Sequence, residues 1–292
     1  MKYKKTLGQH LFDWSNHIFL ALIMVIIIYP CFYVLIASVS DPIRIYDSGG
    51  LLLYPKGFSL YSYGEVLKSP QIWMGYRNTI LYVLCGGFLS VGLTVSAAFS
   101  LTRRMLPGKN FFLFLIMFTM YFSGGLIPSF LVVRELGIYD TPFAMILPGA
   151  VGTYNLIITI TYFRGLPAEL EEAAKIDGAN DFTILLKVFI PLAKPIIAVI
   201  ALYYMVGIWN NYFTALIYLD KRSLYPLQLI LREILIQNNT SSISASQSDA
   251  SQAYAENVKF ATIVVSTVPV LCIYPFLQKY FVKGVMIGAI KQ

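Results

Sequence analysis

Residues 18–36, IFLALIMVIIIYPCFYVLI, carry no charged side chain and contain thirteen Leu, Ile, Val or Phe residues. A helix of that length crosses the hydrocarbon core of a bilayer, about 30 Å thick. Each such residue favours insertion by roughly 0.3–0.6 kcal/mol, against a cost of about 3 kcal/mol for one central charge. Lipid offers no partner for backbone N–H and C=O groups, so a chain built from such segments is restricted to helices or a closed barrel. Further apolar segments of helical length give six expected spans, at about 17–38, 79–102, 111–133, 142–163, 196–219 and 258–281. The expected fold class is all-α: one polytopic transmembrane domain over residues 1–292.

Composition agrees. Charged residues make up 13% of the chain, where a soluble domain carries about 25%. The net charge of +7 comes from basic residues scattered over short loops, which suits bilayer orientation better than nucleic acid. Lys2, Lys4 and Lys5 precede the first span as in a signal peptide, but the apolar core is too long and no small-residue cleavage site follows. Cys31, Cys85 and Cys272 fall in separate spans, without redox or metal-ligand spacing. His10 and His17 near the N-terminus are the only histidines, so neither a metal site nor a catalytic site is expected. Leu7, Leu11, Phe12, Trp14 and Ile18 suggest a helix face lying along the inner interface.

With the N-terminus inside, the loops 103–110 and 164–195 and the C-terminal tail are cytoplasmic. That side then holds 13 Lys and Arg, counting Lys279, and the outside nine over longer loops. Arg103, Arg104 and Lys109 in the short second loop are the clearest positive-inside signal. Both termini are expected in the cytoplasm. Outside, 39–78 reads as a packed loop with short secondary structure, and the Ser/Asn/Gln-rich 237–257 as a tract too polar to order itself without a partner.

The loop 164–195, RGLPAELEEAAKIDGANDFTILLKVFIPLAKP, holds nine of the 37 charged side chains. Pro167 suits a first helical position, acidic residues at 169, 171 and 172 suit the positive end of the helix dipole, and Lys175 can pair with Glu171 or Glu172. Gly178 supplies the left-handed residue that ends a helix. Asn180 can cap a second helix from Asp181, which Pro191 ends, and Pro195 opens the next span. The result is a helix–break–helix with the small Ala173 and Ala174 on its surface, open to close approach by a partner. A solvated loop with no partner satisfies the same local rules.

Glu172-Ala173-Ala174, then Gly178, then Val188-x-Ile190-Pro191 resembles the EAA loop of permease subunits in binding-protein-dependent ABC importers. Val188 and Ile190 stand where Ile and Leu are usual, both conservative departures. Asn78-Thr79, GGLIPSF from Gly124, WNNY at 209–212, PLQ at 226–228 and the closing KGVMIGAIKQ are similar to oligosaccharide-importer permeases, especially the second maltose-type permease. The resemblance implies the type I importer permease fold in a bacterial cytoplasmic membrane. It also implies a heterodimer with a homologous permease, two ATPase subunits and an external solute-binding protein. Glu171, Glu172, Ala173, Ala174, Asp177, Gly178 and Pro191 would then meet the ATPase, and Gly288 to Gln292 would reach toward it. ATP and magnesium would belong to those partners. Pro107-Gly108-Lys109-Asn110 is the nearest fragment to a nucleotide-binding loop and lacks its spacing and hydroxyl, so no cofactor is expected here.

A sugar pathway needs hydrogen-bonding groups and aromatic faces, which makes Tyr121, Tyr154, Asn155, Trp209, Asn210, Asn211 and Tyr212 candidates. Helix bridging and interfacial anchoring by the same residues are the plainer alternative. A secondary carrier, ion-coupled or not, is the rival class. Ion coupling usually places ionisable residues in the bilayer interior, and no span has Asp, Glu, Lys or Arg near its middle.

Overall fold

The computed structural model describes residues 6–46, 51–103, 106–241 and 249–289. These are helical apart from turns and one isolated antiparallel bridge, Ser40 to Phe58. In order come α1 (Leu7–Ser38), α2 (Pro42–Tyr46), α3 (Tyr61–Lys68), α4 (Pro70–Thr102), α5 (Lys109–Tyr121), α6 (Leu126–Glu135), α7 (Phe143–Ile146) and α8 (Thr153–Arg164). Then follow α9 (Ala168–Ile176) and α10 (Asp181–Ile184), the latter continued by a π-helix at Leu185–Phe189 and by α11 (Ile190–Leu192). The chain closes with α12 (Lys194–Trp209), α13 (Phe213–Tyr218), a 3₁₀ turn at Arg222–Leu224, α14 (Leu227–Ser241) and α15 (Asp249–Ala289).

The chain divides into two compact units, one of residues 1–69 with 233–267 and one of 70–232 with 268–292. In the first, α1 starts at a box in which the Gln9 side chain accepts from Thr6 N at 2.9 Å. It is one unbroken helix, so the expected interfacial segment is not a separate element. No residue of its most apolar window is buried by this chain, which leaves that surface to lipid or to other subunits. Asn257 of α15 holds the far end of α1, donating to Ala37 O at 2.8 Å and accepting from Ser62 Oγ of α3. A buried amide satisfied in this way fixes one register between three segments.

In the second unit α4 packs along α8 and α12. Burying apolar surface gains little against lipid, so close packing and interhelical hydrogen bonds must hold these helices. Gly86 and Gly87 supply the closeness: a Cβ added there would lie 3.0 Å from Ile208 Cδ1 and 3.3 Å from Met205 Cγ on α12. One core joins Phe99 of α4, Leu156, Ile160 and Phe163 of α8, Phe189 of the π-helix and Ile200 of α12. A second gathers Tyr82, Met145, Ala215, Leu219 and Leu229.

Three expected spans do not run as single helices. Residues 111–133 split at Phe122–Gly125, where Gly125 takes φ +86° and α6 leaves α5 at 119°. Residues 142–163 are interrupted between α7 and α8, around Pro148, Gly149 and Gly152. Residues 196–219 break at Asn210–Tyr212, between α12 and α13. Span α4 instead gains length, beginning nine residues early at Pro70. The described parts of the polar tract 237–257 are helical, ending α14 and starting α15, while 242–248 lie outside the described residues.

The break before α8 shows how an interrupted span satisfies its backbone. Gly152 N donates to Tyr204 Oη at 2.9 Å, which leaves the Tyr204 hydroxyl proton for Thr94 Oγ1 at 2.6 Å. One phenol therefore caps the start of α8 and ties it to α12 and α4. Replacing Tyr204 with phenylalanine orphans a half-buried N–H and the buried Thr94 hydroxyl, a loss of about 1–3 kcal/mol. A lower midpoint of thermal unfolding in detergent is the expected result.

At the opposite end of α6, Asp140 is the single non-glycine residue with positive φ (+54°) among those described. Its Oδ1 accepts from the backbone N–H groups of Asp220 and Lys221 at 3.0 and 2.9 Å, and Lys221 Nζ lies 3.1 Å from Oδ2. Tyr139 donates to Asp220 Oδ2 at 2.9 Å. The Lys221 backbone N–H leads the causes that hold the Asp140 carboxyl below its ordinary value of 3.8. A depressed carboxylate pKa adds stability that is present above the unfolded value and lost as pH falls through the folded one. The link between 139–140 and 218–222 is thus expected to loosen only below about pH 4. Hydrogen exchange of the Lys221 amide against pH checks this, and Asp140→Asn should remove the pH dependence.

Candidate functional site: the α9 loop and the cleft of the second unit

Most of the expected loop chemistry is present. Pro167 is the N-cap of α9 rather than its first residue, and Lys175 Nζ reaches Glu171 Oε1 at 2.7 Å. Gly178 has φ +78°, with Gly178 N donating to Lys175 O and Ala179 N to Ala174 O at 3.0 and 2.9 Å. That double closure is the Schellman arrangement, and it needs the left-handed residue. Asn180 Oδ1 accepts from Thr183 N at 2.8 Å and caps α10.

Two expectations require correction. Pro191 does not end the second helix, which runs on to Leu192 and turns at Ala193. Pro191 has no N–H for the Lys187 carbonyl, and the helix accommodates this by widening to a π-helix over Leu185–Phe189. Ala193 then joins that helix to α12 at 84°. Only Ala173 of the alanine pair faces outward; Ala174 packs against the core of α4, α8 and α12. Successive helical residues lie about 100° apart, so one of the two turns inward.

The loop's outer face combines charge with apolar contact area. Glu172, Ala173, Asp177 and Gly178 are exposed. Ile176 is 87% exposed and Phe182 69%, both uncovered by this chain. Glu172 makes no ion pair among the described residues. Beside α9 lies an open hollow of about 1020 Å³, bordered by Arg103, Lys109, Arg164, Glu171, Glu172 and Asp181. Lys109 Nζ reaches Thr102 O and Arg103 O, each at 3.4 Å, and so caps the end of α4. The lysine of the nearest nucleotide-loop fragment is thus occupied by its own chain.

The polar aromatics disperse. Tyr121 is 80% exposed at the end of α5, and Tyr154 packs its ring 6.2 Å from Tyr203. Asn155 is buried on α8, and Trp209 is buried with its ring 6.3 Å from Tyr76. Asn210 caps the end of α12, and Tyr212 lies 5.8 Å from the Arg232 guanidinium. Asn211 alone of the seven borders the cleft of about 390 Å³ between α4, α6, α7, α12 and α13. Its Oδ1 also accepts from Thr214 N at 3.0 Å, starting α13.

Ser90, Ser129, Tyr203, Tyr204, Thr214 and Tyr218 complete the polar lining, and among the described residues no charged side chain borders the cleft. Sequence reasoning missed these hydroxyls. They come from separate helices, and no spacing in the chain links them. The break at 210–212 was the usable signal, since it opens backbone at a depth where only protein or a water-lined cavity tolerates it. Motif segments also found a structural role: Asn78 Nδ2 donates to Ser223 O and Tyr225 O at 2.8 and 3.0 Å, and Thr79 Oγ1 accepts from Leu227 N at 2.8 Å. The Asn-Thr pair of α4 and the Pro-Leu-Gln at 226–228 therefore form one clamp.

Residues 72–287 match the profile of the family described as "Binding-protein-dependent transport system inner membrane component". Protein LplC of Bacillus subtilis (strain 168) is 37% identical over 286 residues, spanning 98% of this chain and 97% of that protein. The polygalacturonan/rhamnogalacturonan transport system permease protein YtcP of the same organism is 39% identical over 289 residues, spanning 97% and 99%. A crystal structure of a bacterial ABC transporter involved in the import of the acidic polysaccharide alginate contains a similar chain. Its TM-score is 0.86 at 34% identity, over 96% of this chain and 100% of that one.

Proposed function

Because this chain belongs to the family of binding-protein-dependent transport system inner membrane components, we propose that α9 and its loop take up the motion of a separate ATPase and pass it to the membrane helices. The chain is a permease subunit of a sugar ABC importer. Its cargo is an oligosaccharide, in keeping with the relatives named for polygalacturonan, rhamnogalacturonan and alginate. It pairs with a second, homologous permease in a bacterial cytoplasmic membrane, with both termini and α9 on the cytoplasmic side. Two ATPase subunits supply ATP and magnesium, and an external binding protein delivers the sugar. Residues 1–292 act as one permease domain.

The exposed end of α9 carries this reading. A short helix closed by a left-handed Gly178 presents Glu172, Ala173 and Ile176 with no cover from its own chain. Exposed apolar area beside an exposed carboxylate suits a protein partner. The Gly288 to Gln292 tail is proposed to reach the same partner; residues 290–292 lie outside the described residues. The cleft holding Asn211 supplies hydroxyl, amide and aromatic groups, the complement of sugar hydroxyls and ring faces. Tyr121, Tyr154, Asn155, Trp209, Asn210 and Tyr212 act by bridging helices or bordering the path outside that cleft.

Purification in mild detergent with mass spectrometry of the co-purifying chains tests the proposal. A nucleotide-binding subunit and a second permease are expected. Purification as a lone monomer from a membrane that contains the full importer sinks the coupling role.

A further inference from the structure

Arg103 was legible in the sequence only as a positive-inside charge. It follows the last residue of α4, and its guanidinium carbon sits 4.0 Å from the centre of the Phe99 ring and 4.9 Å from that of Phe189. The two rings meet edge to face at 5.0 Å. Nη1 of Arg103 forms an ion pair with Glu171 Oε1 of α9, and Arg103 Nε approaches Phe99 O at 3.4 Å. The Arg103 side chain is 15% exposed and that of Glu171 24%, whereas Lys175, on the same carboxylate oxygen, is 54% exposed. A cation beside two aromatic rings, largely out of water, is held more firmly than a surface ion pair.

Three segments meet at this guanidinium: the end of α4, the ATPase-facing α9 and the π-helix ahead of α12. We propose that Arg103 is a positioning residue that locks α9 to α4, so that displacement of α9 moves α4 with it. The inference rests on α9 being the helix that an ATPase moves. Lys175 cannot replace it, because it belongs to α9 itself and ties that helix only to its own turn. Nor can Ala174, whose packing against the core is not directional. The guanidinium alone both lies against the rings of α4 and the π-helix and pairs with the carboxylate of α9.

The test uses the complete importer with its co-purified subunits, compared before and after trapping with ATP and vanadate, by hydrogen exchange of the α9 and α4 amides. In the native complex both segments are expected to respond. In Arg103→Gln the α9 response persists, while the α4 response relative to it falls at least about fivefold, the lower end of typical coupling energies. Glu171→Gln removes the same ion pair from the exposed side, so it should act alike and still assemble if Arg103→Gln does not. The double variant should be no worse than either single one. An unchanged α4 response in an assembled single variant overturns the proposal. An α9 that fails to respond in the native complex overturns instead the ATPase-facing role, which keeps the two failures distinct.

Discussion

Valine at position 178 is expected to cut ATP-driven transport by about tenfold or more while leaving the chain folded and in the membrane. Gly178 takes φ +78°, which costs an ordinary L residue about 1–2 kcal/mol, and tenfold corresponds to 1.4 kcal/mol. A β-branched residue is less suited still. No neighbouring atom lies within 4 Å of an added Cβ, so the penalty comes from the backbone and not from a clash. The chain relieves it by abandoning the closure from Ala179 N to Ala174 O, which re-aims α9 and the exposed Ile176. Asparagine tolerates the left-handed region, so Gly178→Asn should retain most transport. Glu172→Ala leaves that backbone intact and removes the exposed carboxylate; it should lower transport while ATP hydrolysis continues. The assay is uptake per ATP hydrolysed in reconstituted vesicles. Equal coupling in Gly178→Val and the native chain would remove α9 from the mechanism.

Alanine at Gly75 should have the largest effect on stability. A Cβ there would meet Ile230 Cδ1 at 2.8 Å, Leu227 Cα at 3.0 Å and Leu227 N at 3.2 Å. The isoleucine tip can turn aside, but the Leu227 backbone is held by Thr79 Oγ1 and by its place at the start of α14. Overpacking against a fixed neighbour costs about 1–3 kcal/mol. A lower thermal midpoint and loss of assembled complex are expected. Gly92 on the same helix has open space around it, so Gly92→Ala should be neutral or slightly stabilising. Equal midpoints for the two alanine variants would contradict the clamp formed by Asn78, Thr79 and the segment 223–227.

The helix–Gly–helix order of 164–195 was readable because caps and left-handed ends depend on residues within four positions of one another. Asn180, Gly178 and the Glu171–Lys175 pair are of that kind. The apolar spans were readable because lipid imposes a length and a composition. The breaks at 122–125 and 147–152 were not, since a hydropathy pattern stays largely apolar across a turn whose backbone is satisfied elsewhere. Tyr204 supplies one such partner for Gly152 from 52 residues away.

The sequence by itself determined a helical membrane chain, the place of its longest charged loop and the local shape of that loop. Those properties follow from transfer energy and short-range hydrogen bonds, which adjacent residues express directly. Tertiary structure alone decided that Arg103 lies against Phe99 and Phe189 and pairs with Glu171, that Ala174 is the alanine that turns inward, and that hydroxyls from separate helices border one cleft with Asn211. Each depends on side chains from distant helices meeting at a few ångströms, a distance that packing sets and sequence separation does not encode.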